Sequence, residues 1–374
     1  MRCVLNMLMV AAVCGLAREA VAQLTPADIE ALRERGQREG WTFTVGETEA
    51  SQYPDHQAFG LKVPADWRRG ARFDPCTPSR DLPAAFDWRD AGGCTPVKNQ
   101  LGCGACWAFG LNGAFESQIL LQDGVTASLS EQWLISCCGL GGCGGEWPGT
   151  AANFYLVYGT SFDQCGHHGT VPTAEFPYVA WDAPCGCPYT HEYFLEDWVF
   201  VGPEWGVPTV GQLKQAIYDH GPIVVCVYAN DAMKAYTGGI FNDCEDVAIN
   251  HTVVLVGWDD NQGTDGVWLM RNSWGAGWGE DGGYCRIEYG CSRIGYNALY
   301  VVYAGLGNVI WVDFAYTGTE SGTFVQPYNT LMEGVNAIDA GGTLRIKAGS
   351  SAATATIAKA MRIEAYGGSV TVGQ

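Results

Sequence analysis

The stretch Gln100-Leu101-Gly102-Cys103-Gly104-Ala105-Cys106-Trp107-Ala108-Phe109 decides how this chain is read. A turn-forming run of glycine and cysteine gives way at Cys106 to a helical pattern of Trp107, Phe109, Leu111, Phe115 and Ile119. A thiol in the first turn of a helix meets the positive end of the backbone dipole, which favours thiolate over thiol. The thiolate is the nucleophilic form, so Cys106 is a candidate for covalent chemistry. Downstream, in stretches that read as strands, stand a suitable base, His251, and a residue able to orient it, Asn272.

Outward from Cys106 the pattern is helical first and β later. A helix is expected over 106–122, and Ser128 with Glu131 forms a capping box that opens another over 131–137. Thr209 and Gln212 cap a third, which ends at Gly221-Pro222. Short runs rich in Val, Ile and aromatics then read as strands over 223–229, 251–258, 267–272, 283–289 and 298–303. This order predicts an α+β architecture of two differently built halves, with a ligand cleft between them.

The flanks differ from this centre. Met1-Arg2, an apolar run from Val4 to Leu16 and Ala20-Val21-Ala22 read as a secretory leader, 1–22, cut after Ala22. The run is too short to span a bilayer, and bulky Val13 before Cys14 speaks against lipidation. Residues 23–80 are polar. Thr25 with Asp28 starts a helix with Ile29 and Leu32 on its apolar edge, and Pro54, Pro64, Pro75 and Pro78 mark an extended, removable segment. Residues 305–374 lack cysteine and show four short alternating runs, at 343–347, 355–357, 361–365 and 369–372. This tail resembles the opening turns of a parallel β-helix. It is too short to bury a solenoid core of its own, so it leans on the main domain, pairs with another chain or is a fragment.

Composition excludes some partners. A formal charge of −19 and a pI near 4.6 argue against nucleic acid. Two of the 16 cysteines lie in the leader, and the rest fall between Cys76 and Cys291, a density that reads as a disulfide framework in an exported protein. The close pairs Cys103/Cys106 and Cys185/Cys187 have no companions at finger-like spacing, so neither a metal nor a cofactor is expected.

Five motifs occur in order. Leu82-Pro83-Ala84-Ala85-Phe86-Asp87-Trp88-Arg89 is followed by Thr95-Pro96-Val97-Lys98-Asn99-Gln100 running into the Cys106 segment. Leu129-Ser130-Glu131-Gln132 comes next, then Asn250-His251-Thr252-Val253, then Arg271-Asn272-Ser273-Trp274-Gly275 with Gly277-Trp278-Gly279-Glu280. Over residues 81–304 the chain resembles a papain-like (C1 family) cysteine peptidase.

That resemblance implies a papain-like fold, with a helical half and a β-barrel-like half. It implies that Cys106 attacks a peptide carbonyl, His251 handles the proton, Asn272 orients His251 and Trp274 shields their bond. Gln100, six residues before Cys106, would join the Cys106 backbone N–H in an oxyanion hole. Substrate would lie along Gly104, Gly145, Trp147, Pro148, Ile249 and Trp274, with a hydrophobic second pocket that also involves Cys226 and Tyr296. Disulfides Cys103–Cys143, Cys137–Cys185 and Cys244–Cys291 carry over. Cys76, Cys94, Cys138, Cys165, Cys187, Cys226 and Cys285 have no assigned partner, and at least one thiol besides Cys106 should be free or bridged to another chain.

The chain also departs from the family. Its loop reads Cys143-Gly144-Gly145-Glu146-Trp147-Pro148, so either Glu146 takes a glycine place or the loop is one residue shorter. Glu146 there could admit a basic side chain. Residues 23–80 are shorter than the helical propeptides of many members, yet are expected to act as the chain's own inhibitor. His167-His168 resembles the pair that gives some members carboxydipeptidase action, but it precedes Phe176-Pro177-Tyr178. The reading is a secreted endopeptidase acting on peptides or proteins. Its alternatives are an inert papain-fold binding module, an exopeptidase, and a Cys103/Cys106 disulfide oxidoreductase.

Overall fold

A computed structural model describes residues 23–373 except 79–80, 204–206, 304, 306, 308, 325 and 355. The expected leader, 1–22, lies outside the described residues. The helix Cys106–Asp123 forms the spine of one half, and every residue in it but Gln122 is buried. A helix buried on every side lies inside the molecule, and its polar residues need partners there, as Glu116 has in Lys98 at 2.6 Å. It ends at Gly124, whose φ of 64° lets its N–H return to Leu120 O at 2.9 Å. Trp107, Phe115, Trp133 and Tyr155 form the apolar cluster of this half. Each such buried side chain contributes about 1.5–3 kcal/mol.

The other half is one ten-stranded sheet. Its path runs Thr42–Val45, Tyr236–Phe241, Tyr284–Glu288, Val267–Arg271, His251–Asp259, Ile223–Val227, Tyr296–Val302, Asp197–Val201 and Phe73–Asp74, with Ala85–Asp87 pairing to His251–Asp259. Trp258, Trp268, Trp278 and Phe241 fill its core. This is the expected α+β division into helical and β-rich halves.

Both edges of that sheet come from the N-terminal segment. Thr42 pairs with Ile240 at one edge, and Phe73 pairs with Phe200 at the other. Open edges invite pairing with other chains, so this segment protects the sheet as well as covering it. The segment is therefore more ordered than its prolines imply. Its Pro26–Glu39 helix, capped by the Thr25/Asp28 box, is tied down by Arg35 to Asp243 at 2.8 Å.

In the tail, Val309–Val312, Thr343–Ser351 and Arg362–Val372 form a parallel three-stranded sheet. The helix Leu331–Ala337 packs on it through a core of Val312, Leu331, Val335, Leu344 and Ile346. Two expectations need correction. Residues 356–357 form no strand, because Ile357 packs into this core from a loop. The runs at 361–365 and 369–372 are one strand, carried through by Gly368 at φ 153°. The tail leans on the main domain: Trp311 Nε1 donates to Gln122 O at 3.0 Å and Phe324 N to Leu121 O at 3.1 Å.

Candidate active site

Cys106 opens its helix, and Ala105 before it supplies no side-chain cap, so the end of the dipole is left to the thiol. The Cys103–Cys143 bridge ties the approach to the glycine loop. Gly104 donates to Cys143 O at 3.1 Å. A Cβ on Gly104 would stand 2.7 Å from that oxygen, so only glycine fits. Because Cys103 is bridged to Cys143, the Cys103/Cys106 dithiol of the oxidoreductase alternative does not exist.

Two neighbouring strands bring the other groups together. His251 begins His251–Asp259, and Asn272 directly follows Val267–Arg271, with Val254 opposite Arg271. His251 Nε2 lies 2.8 Å from Asn272 Oδ1, which also accepts Ser273 N–H at 2.8 Å. An amide oxygen only accepts, so Nε2 carries the hydrogen and Nδ1 keeps a lone pair. That Nδ1 is buried and makes no hydrogen bond among the described residues. Trp274 stacks on the imidazole at 4.7 Å and 21°, keeping water from that face.

Burial pushes the Cys106 thiol up to about 11, against the Gly60 N–H that pulls it down. Burial likewise pushes His251 down to about 4, against the Asn272 bond. In this covered state the neutral forms of both groups are favoured. Gln100 is fully buried, its Oε1 accepts from Ser273 Oγ at 2.7 Å, and its Nε2 is therefore the donor, to Cys103 O at 3.0 Å among others.

Residues 82–302, over half of the chain, match the family described as papain family cysteine protease. The chain belongs to the papain family. It is 30% identical to ananain of Ananas comosus over 278 residues, covering 70% of this chain and 75% of ananain. It is 33% identical to cathepsin S of Bos taurus over 236 residues, covering 61% and 66%. The solved structure of digestive procathepsin L2 proteinase from Tenebrio molitor larval midgut matches with a TM-score of 0.64 at 29% identity, covering 76% of this chain and 92% of that one. The chain is thus a cysteine peptidase of papain-like fold.

The cleft of this papain-family protease is filled by its own residues 57–62. Gly60 N–H donates to Cys106 Sγ at 3.2 Å. Gln100 Nε2 donates to Ala58 O at 3.0 Å, and Trp274 Nε1 donates to the same oxygen at 3.2 Å. Phe59 meets His251 edge-on at 5.8 Å. Glu146 N–H donates to Gly60 O at 3.0 Å and Lys62 N–H to Glu146 O at 3.1 Å, which makes a parallel bridge centred on Leu61.

Several sequence assignments change here. The backbone that pairs in the cleft belongs to Glu146, and Gly145 at φ 98° only turns the chain against Gly60. The Glu146 carboxylate folds back onto its own loop, accepting from Trp147 N at 2.9 Å and Gly141 N at 3.2 Å. Trp147 is buried against Trp67 of the N-terminal segment at 5.9 Å, and Pro148 opens the buried helix Pro148–Ala152. Ile249 is half-buried beside the same apolar cluster. His167 stacks on His191 and His168 on Phe162, so neither takes a cleft residue as ring partner.

Bridges Cys137–Cys185 and Cys244–Cys291 are present, and a fourth, Cys165–Cys187, joins two cysteines left unassigned by the sequence. Among the described residues Cys76, Cys94, Cys106, Cys138, Cys226 and Cys285 are free. Sequence reasoning missed Ser273, which aims Gln100, although it stands inside a quoted motif. It also missed the support behind the site, where Lys98 lies 2.6 Å from Glu116 and 2.8 Å from Glu131.

Proposed function

We propose that this protease is a secreted endopeptidase made in latent form: a leader at 1–22, an inhibitory propeptide at 23–80, the peptidase unit at 81–304 and a β-rich tail at 305–374. Cys106 attacks the scissile carbonyl, and His251 Nδ1 takes the thiol proton and passes it to the leaving amine. Asn272 holds the imidazole, and Gln100 Nε2 with the Cys106 N–H receives the oxyanion. Water then releases the acyl group from sulfur.

The observation that carries this reading is the way residues 58–60 occupy the cleft. Ala58 O already rests on the Gln100 donor, as an acyl oxygen would. The sulfur, however, faces the Gly60 N–H, two residues further on. The oxygen on Gln100 and the group bonded to sulfur thus belong to different residues, which supports a segment that blocks the cleft without being cut.

A hydrophobic preference two residues before the cut is supported by Leu61, half-buried against the cluster that Ile249 and Tyr296 also join. Export is supported by the four bridges, which persist in oxidising compartments. No helix among the described residues is long and apolar enough to cross a membrane. The test compares the processed protein with its Cys106→Ala variant on fluorogenic peptides carrying Leu or Arg two residues before the cut. Cleavage favouring Leu and absent from the variant is expected. Cleavage that persists in the variant, or that favours Arg, counts against the reading.

A further inference from the structure

Three side chains outside the cleft bring ligand atoms together. Asp163, His167 and His191 place a carboxylate oxygen and two ring nitrogens within 4.8 Å of one another. They stand in the long connection between Pro148–Ala152 and Asp197–Val201, beside the Cys165–Cys187 bridge.

The cluster holds an unsatisfied lone pair. His191 Nδ1 lies 3.1 Å from Gly169 O, and a carbonyl only accepts, so the ring hydrogen is on Nδ1. Nε2 is then a bare lone pair, buried and without a hydrogen-bond partner among the described residues, on a side chain only 9% exposed. It faces Asp163 Oδ2, another acceptor, at 3.8 Å. That separation is too long for a direct hydrogen bond even with a proton on the nitrogen.

Asp163 is itself fixed. Its Oδ1 accepts from Cys165 N at 2.8 Å and His167 N at 2.9 Å, and its Oδ2 accepts from Trp133 Nε1 at 3.0 Å. A carboxylate oxygen with one such partner keeps a second lone pair. His167 stacks on His191 at 5.5 Å and adds its nitrogen from the solvent side. A ring nitrogen locked as acceptor by a backbone carbonyl on its far side is the usual outer support of a metal-binding histidine.

We propose that Asp163, His167 and His191 bind one zinc-class divalent cation, with solvent completing the coordination. Ligands about 2.0–2.1 Å from a tetrahedral zinc stand roughly 3.3–3.4 Å apart, so the His191–Asp163 pair closes by about half an ångström. The donor set of two imidazoles and a carboxylate suits zinc better than calcium or magnesium. The ion clamps this connection to the helix Glu131–Cys137 through Trp133, whose indole already holds Asp163. Cysteine spacing alone gave no reason to expect a metal, because this site uses none.

The test uses the full-length Cys106→Ala protein, stripped with a chelator and titrated with cobalt(II) by absorption and zinc by calorimetry. One cobalt per chain is expected, with d–d bands and no thiolate charge-transfer band. Affinity should fall at least tenfold in His167→Ala, where the replaced ring is exposed, and in His191→Gln. Zinc should raise the unfolding midpoint of the parent but not of His167→Ala. Absence of saturable binding, or binding unchanged in both variants, overturns the proposal. So does a thiolate band abolished by Cys76→Ser, which would move the ion to the Asp74, Cys76 and His220 cluster.

Discussion

The backbone N–H of Gly60 points at the sulfur of Cys106 from 3.2 Å, and this contact is made where there is no space for a side chain. A Cβ on Gly60 would stand 1.7 Å from Gly104 O and 2.1 Å from its carbonyl carbon. Both are backbone atoms beside a disulfide, so they do not yield. Gly60→Ala should lift residues 57–62 out of the cleft. The intact variant should hydrolyse a peptide substrate at least tenfold faster than the intact parent, read as the initial rate before any processing.

Burial sets the chemistry of the covered sulfur. With the thiol pushed up to about 11, the thiolate fraction in the intact chain stays small across neutral pH and rises only in strong alkali. Removing residues 23–80 ends that burial and lets the helix end and a protonated imidazole favour the thiolate. The half-maximal pH for alkylation of Cys106 should therefore fall by several units on processing. Iodoacetamide rates between pH 4 and 11, followed by mass spectrometry of the Cys106 peptide, measure it. An unchanged profile would assign the shift to something other than the segment.

Gln100 serves both states: its Nε2 donates one hydrogen to Cys103 O and the other to Ala58 O in the intact chain, and the second is released for an oxyanion after removal. Loss of one such donor costs about 10²–10³ in turnover. Gln100→Ala in the processed protein should lower kcat by that factor with KM nearly unchanged, in steady-state assays.

Stability of the cleft floor depends on Lys98. Its Nζ lies between two buried carboxylates, Glu116 at 2.6 Å and Glu131 at 2.8 Å, and also donates to Leu129 O at 2.8 Å. Lys98→Met leaves both acids without their cation, which costs about 3–5 kcal/mol for a broken buried pair. Urea unfolding of the Cys106→Ala protein with and without the change should show a lower midpoint and an unfolding free energy reduced by that amount.

What the sequence made legible follows periodicity and local chemistry. The apolar run after Cys106 specifies a buried helix, and the Val- and Ile-rich runs around His251 and Asn272 specify central strands. Thr42–Val45 and Phe73–Asp74 were hidden because a short edge strand is made by its partner, here Tyr236–Phe241 and Asp197–Val201. The pairing role of Glu146 was hidden because Gly142 and Gly145, at φ 55° and 98°, set the loop register through turns and not through hydrophobic pattern. Gly60 carries no signal of its own, since its requirement is a close approach to distant Gly104. The Asp163 cluster likewise exists only because a long loop closes on itself.

The most direct test treats processed and intact protein with a thiol-directed peptide epoxide carrying a leucine side chain, then locates the adduct by mass spectrometry. The account predicts one adduct on Cys106 in the processed form with complete loss of peptide hydrolysis, and almost none in the intact chain. An adduct on another cysteine, or hydrolysis that survives full modification of Cys106, would contradict it.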